Sequence, residues 1–279
     1  MILPFPQRFA AVAAERSSLC AGVDPSAGLL RSWGLTDDVA GLRAFCERLV
    51  EACAPLVAAI KPQSAFFERH GPGGMAVLRD TVARARELGT LAIIDGKRGD
   101  IASTAAAYGD GLLGTHSPFG GDAITVSPYL GFGSLAPILE AARRTAAGVF
   151  VVVRSSNPEG AAPQLARLPD GRTVAEHLAD QIVEWNEADG AQGAGLIGAV
   201  VGATLGAEAG GLADRLRNAL LLVPGIGAQG ATIADVRRDF GRHYARTIPS
   251  VSREIARAGP DPAALRAQVE RFAAEVRGP

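Results

Sequence analysis

Short unbroken apolar runs recur along the chain: LCAGV (19–23), LVAAI (56–60), LAIID (91–95), AITV (123–126), VFVVV (149–153), LIGAVV (196–201) and LLLV (220–223). None alternates polar with apolar positions, the pattern of parallel strands covered on both faces. Between the runs, apolar positions recur at three- and four-residue steps, as amphipathic helices require. Val39, Leu42, Cys46, Leu49 and Cys53 make one such stripe, with Thr36 placed to cap its amino end. Val174, Leu178, Ile182 and Trp185 make a second, and Leu265, Val269, Phe272 and Val276 a third. An eighth run, ARTIPSVS (245–252), is weaker because Pro249 lacks a ladder donor. This alternation predicts an α/β protein, a (β/α)8 TIM barrel forming a single domain over 1–279. One connection is long for such a fold, the segment over about 154–172 after the fifth run. It reads either as a lid over the catalytic face or as a solvated insertion.

Composition narrows the partners. The 279 residues carry a formal charge of -1, so no whole-molecule field favours nucleic acid or an anionic membrane. Three cysteines without a CxxC spacing argue against a disulfide framework or zinc site and for a reducing compartment. The amino-terminal stretch lacks the flanks of a signal peptide, and no segment reaches roughly 18 uninterrupted apolar residues. A cytoplasmic protein is the expectation. The histidines, His70, His116, His177 and His243, share no ligand-like spacing, so no metal site is predicted.

Polar residues gather where the apolar runs end: Asp24, Lys61, Asp95, Lys97, Ser155, Ser156, Gln229 and Arg253. In a barrel these ends open onto one face, where active sites are built. The stretch IIDGKRGDIAST is the densest, with Asp95, Lys97, Arg98 and Asp100 within six residues. Asp95 and Lys97 are two apart, so a continuing strand sends both to the same side and Arg98 away from it. The plain alternative is a charged turn in which Asp100 caps the next helix. Further along, PGIGAQG sets Gly225, Gly227 and Gly230 after a buried strand, and Arg253 follows the eighth run. Barrels often bind phosphate with these two loops, which fits a phosphomonoester held by a forked guanidinium contact.

These residues resemble the orotidine 5'-phosphate decarboxylase family in its longer bacterial (type 2) branch. The pattern Asp-x-Lys-x-x-Asp-Ile-x-x-Thr is met by Asp95, Lys97, Asp100, Ile101 and Thr104. Asp24 in GVDPS, Lys61 in AIKPQSAFFE, SSNPEG, VVGAT, GIGAQG and VSREI match the remaining motifs in order, from about residue 5 to 257. The resemblance implies a lyase that converts orotidine 5'-monophosphate to UMP and CO2 without metal or cofactor, in a homodimer with shared active sites. It implies Lys61, Asp95 and Lys97 from one subunit, and Asp100, Ile101 and Thr104 from the other. Asp24 would hold ribose with Lys61 and Thr104; Gln229 and Arg253 would hold phosphate, with Gly227 and Gly230 in the phosphate loop. Ser155 and Ser156 both fit the pyrimidine contact, with Ser156 favoured by its spacing to Pro158. Lys97 would stabilise and protonate the carbanion left by CO2. The sister enzymes, keto-gulonate-phosphate decarboxylase and hexulose-phosphate synthase, share the Asp-x-Lys-x-x-Asp pattern but use Mg2+ beside an acidic second-strand residue. Lys61 stands at that position here.

Overall fold

A computed structural model describes residues 2–278. Eight parallel strands close into a barrel in sequence order, β1 to β8: Cys20–Val23, Ala59–Pro62, Leu91–Arg98, Ala123–Val126, Gly148–Arg154, Ile197–Val201, Leu221–Pro224 and Thr247–Val251. Nearly every strand residue is buried, as expected when helices cover the outside and side chains fill the inside. The three helical stripes lie on the helices Val39–Cys53, Val174–Ala188 and Pro262–Arg277, each buried in the core around the barrel.

Local chemistry moves several boundaries. Residues 54–56 form a 3-10 turn with Pro55 at its start, so β2 begins at Ala59 and includes Lys61. The cap of the Val39–Cys53 helix is Asp38, whose Oδ1 accepts from the Gly41 N–H at 2.8 Å; Thr36 lies outside the helix. β8 forms despite Pro249, which pairs in register with Val223 while Ser250 and Val251 pair with β1. The long segment after β5 carries a 3-10 turn at Pro158–Gly160 and a short helix at Ala161–Gln164. Its far end is pinned by Arg172, which bonds Asp170 and Asp180.

One element has no counterpart in the apolar pattern. The helix Phe5–Glu15 lies across the amino end of the barrel, where Phe5 and Phe9 plug the interior against Cys20, Ala59, Ile93 and Phe150. Phe5 meets Phe150 edge-on at 5.8 Å. Arg8 fastens the helix through an ion pair with buried Asp122, whose other oxygen accepts from the Ala92 N–H at 3.0 Å. With the amino end plugged, the polar strand ends are left at the opposite, carboxyl end. Among the described residues no helix is long and apolar enough to cross a membrane.

Candidate active site

At the carboxyl ends of β2, β3 and β4 one carboxylate organises two ammonium groups. Lys61 Nζ donates to Asp95 Oδ2 at 2.6 Å, and Lys97 Nζ donates to Asp95 Oδ1 at 2.6 Å. Lys61 and Asp95 have side chains only 8% and 7% exposed, whereas Lys97 is 49% exposed at the mouth. Burial works against the Lys61 charge, but Asp95 and then Asp24 outweigh it and hold the ammonium above the ordinary lysine range. Burial also opposes the Asp95 charge, yet the Lys61 and Lys97 ammoniums hold its carboxyl well below the usual carboxylate range. The centre is therefore an ionised relay anchored in the barrel and ending in an accessible amine.

The backbone departs from a simple strand to make this contact. Lys97 has φ +46°, and the β3–β4 register shifts between Ile94 and Arg98. A left-handed non-glycine residue costs roughly 1–2 kcal/mol, and such strain persists only where neighbours enforce it. Thr125 is the enforcing neighbour. Its Oγ1 accepts from the Lys97 N–H at 3.0 Å and donates to Asp95 Oδ1 at 2.8 Å. Sequence reading missed this residue, although Thr125 is the one hydroxyl in the apolar run AITV. Arg98 points away as expected, pairing with Glu68 and lying 5.6 Å over the Tyr108 ring.

Asp24, at the end of β1, accepts from Ser252 Oγ at 2.5 Å through Oδ2, while its buried Oδ1 has no partner among the described residues. The two candidate serines separate cleanly. Ser155 is spent locally on Asn157 and Gln164, whereas Ser156 Oγ donates to Gln229 Oε1 at 2.5 Å, joining the turn after β5 to the turn after β7.

In that second turn Gly227 has φ +75°, and a Cβ there would sit 2.2 Å from Glu254 Cγ. Glycine thus lets the turn close onto the residue following Arg253. The Gly227 and Gly230 amides are bonded inside the turn, to the Ala231 and Gly227 carbonyls, so these glycines shape the loop and their N–H groups are not free donors. Arg253 is exposed, with no side-chain hydrogen bond or ion pair among the described residues.

Three predicted residues do not join this cluster within the chain. Asp100 Oδ1 accepts from the Ile101 N–H at 2.8 Å, and Ile101 rather than Asp100 is the cap residue of the helix Ala102–Leu112. Ile101 is 58% exposed, and Thr104 is exposed on the first turn.

The donor set does not suit a cation. Both Asp95 oxygens are occupied by ammonium groups, and no group of three His, Cys, Asp or Glu residues is placed to hold a metal among the described residues. The cysteines are free and buried, and burial pushes the Cys53 thiol up to about 12. The lysines carry a further signal that the strand pattern did not use. Of 28 Lys and Arg residues, Lys61 and Lys97 are the only lysines, and both bind Asp95.

A parallel barrel closed at its amino end, with an ammonium–carboxylate–ammonium relay and a glycine turn at the other, defines a (β/α)8-barrel enzyme. Residues 17–268 match the profile of the Orotidine 5'-phosphate decarboxylase / HUMPS family, and the chain belongs to that family. It is 51% identical over 274 residues to the orotidine 5'-phosphate decarboxylase of Myxococcus xanthus, covering 98% of this chain and 95% of that one. A crystal structure from Streptomyces avermitilis shares 50% identity and superposes with a TM-score of 0.94, covering 99% of this chain and 95% of that chain. The OMP decarboxylase of Leishmania donovani shares 32% identity and a TM-score of 0.80, over 99% and 98% of the two chains.

Proposed function

We propose that this chain decarboxylates orotidine 5'-monophosphate to UMP and CO2, the last step of de novo UMP synthesis, and does so without metal or cofactor. The observation that carries the reading is the Lys61–Asp95–Lys97 relay, with both N–O distances at 2.6 Å. Losing CO2 from C6 of the pyrimidine leaves an electron pair with no adjacent carbonyl to accept it. A fixed ammonium answers that need twice. Its charge stabilises the developing carbanion, and its proton then forms the new C6–H bond. Lys97 is the half-exposed ammonium and takes this role, leaving a neutral amine that solvent reprotonates. Asp95, locked by Lys61 and Thr125, aims it.

Asp24 and Lys61 supply an acceptor and a donor for ribose hydroxyls. Ser156 reads the pyrimidine, and Gln229 and Arg253 hold the phosphate. Contacts so far from C6 raise the rate only where they are stronger in the transition state, at about 1.4 kcal/mol per tenfold. The sister reaction through a metal-held enediolate is disfavoured by Lys61, whose ammonium would repel the ion.

The enzyme is read as a cytoplasmic homodimer. Asp100, Ile101 and Thr104 stand clear of their own cluster, and the apolar Ile101, Tyr129 and Leu130 are 58%, 87% and 54% exposed. Covering these residues with a second copy would bring Asp100, Ile101 and Thr104 into that copy's site. The test is the fall in absorbance as orotidine 5'-monophosphate is consumed, with UMP identified as product and chelator present. Wild-type turnover that disappears in Lys97→Ala, while UMP still binds, is the expected result. Substantial residual decarboxylation in that variant would overturn the role of Lys97.

A further inference from the structure

The end of β5 carries a charged group that the relay does not use. Arg154 has a side chain only 9% exposed, and the β5–β6 register shifts between Val152 and Arg154, a bulge of the kind that re-aims side chains beside active sites. Its guanidinium is fixed on one side by Glu208, in the helix Ala207–Arg215, with Nε–Oε1 at 2.7 Å. On the other side Nη1 donates to the Ser155 carbonyl at 2.6 Å and to Gln164 Oε1 at 3.3 Å. Gln164 in turn grips the serine turn. Its Oε1 accepts from the Ser155 N–H at 3.0 Å, and its Nε2 donates to Ser155 Oγ at 3.0 Å.

Ser156 is therefore set from two directions. From the front, Arg154 and Gln164 hold the preceding residue at its N–H, carbonyl and hydroxyl. From behind stands Gly202 at the end of β6, where a Cβ would come within 2.9 Å of the Ser156 nitrogen and Cβ. The Gly202 N–H also donates to the Arg154 carbonyl at 2.9 Å. Gln164 belongs to the long segment between β5 and the helix Val174–Ala188, so the same contacts tie that segment to the serine turn.

We propose that Arg154 and Gln164 are positioning residues for nucleotide binding. They act through Ser156, fastening the segment after β5 to the helix after β6 so that Ser156 meets Gln229. The inference rests on the decarboxylase reading, because it takes Ser156 as a contact to the bound nucleotide. In chemical terms the ligand is a pyrimidine nucleoside monophosphate. Misplacing Ser156 weakens its binding and leaves the Lys97 chemistry intact.

Steady-state kinetics with orotidine 5'-monophosphate, and UMP binding by calorimetry, test this on Gln164→Ala, Arg154→Lys, Ser156→Ala and the Gln164→Ala/Ser156→Ala double variant. Gln164→Ala is expected to raise KM, and weaken UMP binding, about tenfold at nearly constant kcat, the worth of one lost hydrogen bond of this kind. The double variant is expected to bind no worse than Ser156→Ala alone, because the two act as one unit. Arg154→Lys, unable to hold Glu208 while reaching Ser155 and Gln164, shifts KM in the same direction. Should that variant fail to fold, Gln164→Ala, outside the buried core, decides the matter. Unchanged KM, a loss confined to kcat, or additive effects of Gln164→Ala and Ser156→Ala would overturn the proposal while leaving the decarboxylase reading in place. A wild-type protein that does not turn over orotidine 5'-monophosphate would remove both.

Discussion

Replacing Asp95 by Asn is the most informative perturbation, because one atom change strands two ammonium groups. The substitution keeps the shape but removes the charge that Lys61 and Lys97 each meet at 2.6 Å. Lys61 is the sensitive partner, with its side chain 8% exposed and burial already opposing its charge. Breaking a buried pair from one side costs about 3–5 kcal/mol, since the remaining charge is left without compensation.

The pH dependence gives a sharper signature. In the wild type Asp95 titrates below its unfolded value, so its contribution is present above the usual carboxylate range and is lost only as strong acid reaches its folded pKa. Lys61 titrates above its unfolded value, so its contribution is present below the ordinary lysine range and is lost as alkali reaches its folded pKa. Across neutral pH the pair contributes a flat profile. In Asp95→Asn burial is left facing only Asp24 and, more weakly, Cys20, and the Lys61 pKa falls. If it falls below the unfolded value, the folded state releases a proton that the unfolded state keeps, and stability rises with pH by at most about 1.4 kcal/mol per unit. Urea unfolding at pH 6, 8 and 10 reads both effects. A loss at neutral pH below about 1 kcal/mol would refute the claim that this pair is buried and coupled. A deficit that fails to shrink toward alkaline pH would refute the assignment of that loss to a stranded Lys61.

Thr125→Val removes the hydroxyl that links the Lys97 N–H to Asp95 Oδ1, and kcat is expected to fall about tenfold with KM nearly constant. A change confined to KM in steady-state assays would show that Thr125 does not aim the amine. Mixing Lys97→Ala with Asp100→Ala protein should restore activity, because one site in each heterodimer escapes both substitutions. No restoration after verified subunit exchange counts against shared sites. Gly227→Ala forces a Cβ into Glu254 at a φ of +75°, so weakened UMP binding in calorimetry is expected there, with the thermal unfolding midpoint lowered by a few degrees.

The barrel was legible because seven of its strands are unbroken apolar runs, a pattern that survives without knowledge of partners. Pro249 obscured the eighth strand, since losing one donor is tolerated when the carbonyls and the remaining N–H groups still pair. Phe5–Glu15 was not legible as a plug: it has no counterpart in the apolar pattern, and nothing local to Phe5 and Phe9 says that they close a barrel. Asp95 and Lys97 could be placed on one side from strand periodicity, although Lys97 reaches Asp95 through a left-handed residue that periodicity does not describe. Thr125 escaped notice because a β-branched hydroxyl is an ordinary strand residue. Its role depends on a register between β3 and β4 that only the folded barrel supplies. The same holds for Arg154, whose partners Gln164, in the irregular segment after β5, and Glu208, far along the chain, are brought to it by the turns after β5 and β6.

The confinement of lysine to Asp95 has a consequence for how the protein meets reactive small molecules. Every other cationic side chain except histidine is an arginine, whose guanidinium does not form stable imines or amides under mild conditions. Aldehydes and activated esters in the surroundings therefore find side-chain amines only beside Asp95 at the barrel mouth, and Lys61 is shielded there. Apart from the chain's own terminal amine, Lys97 is the protein's single exposed target for such chemistry. Damage of this kind cannot be spread harmlessly over the surface. On the proposed mechanism each such event would silence a site, and bound nucleotide would shield Lys97 from it.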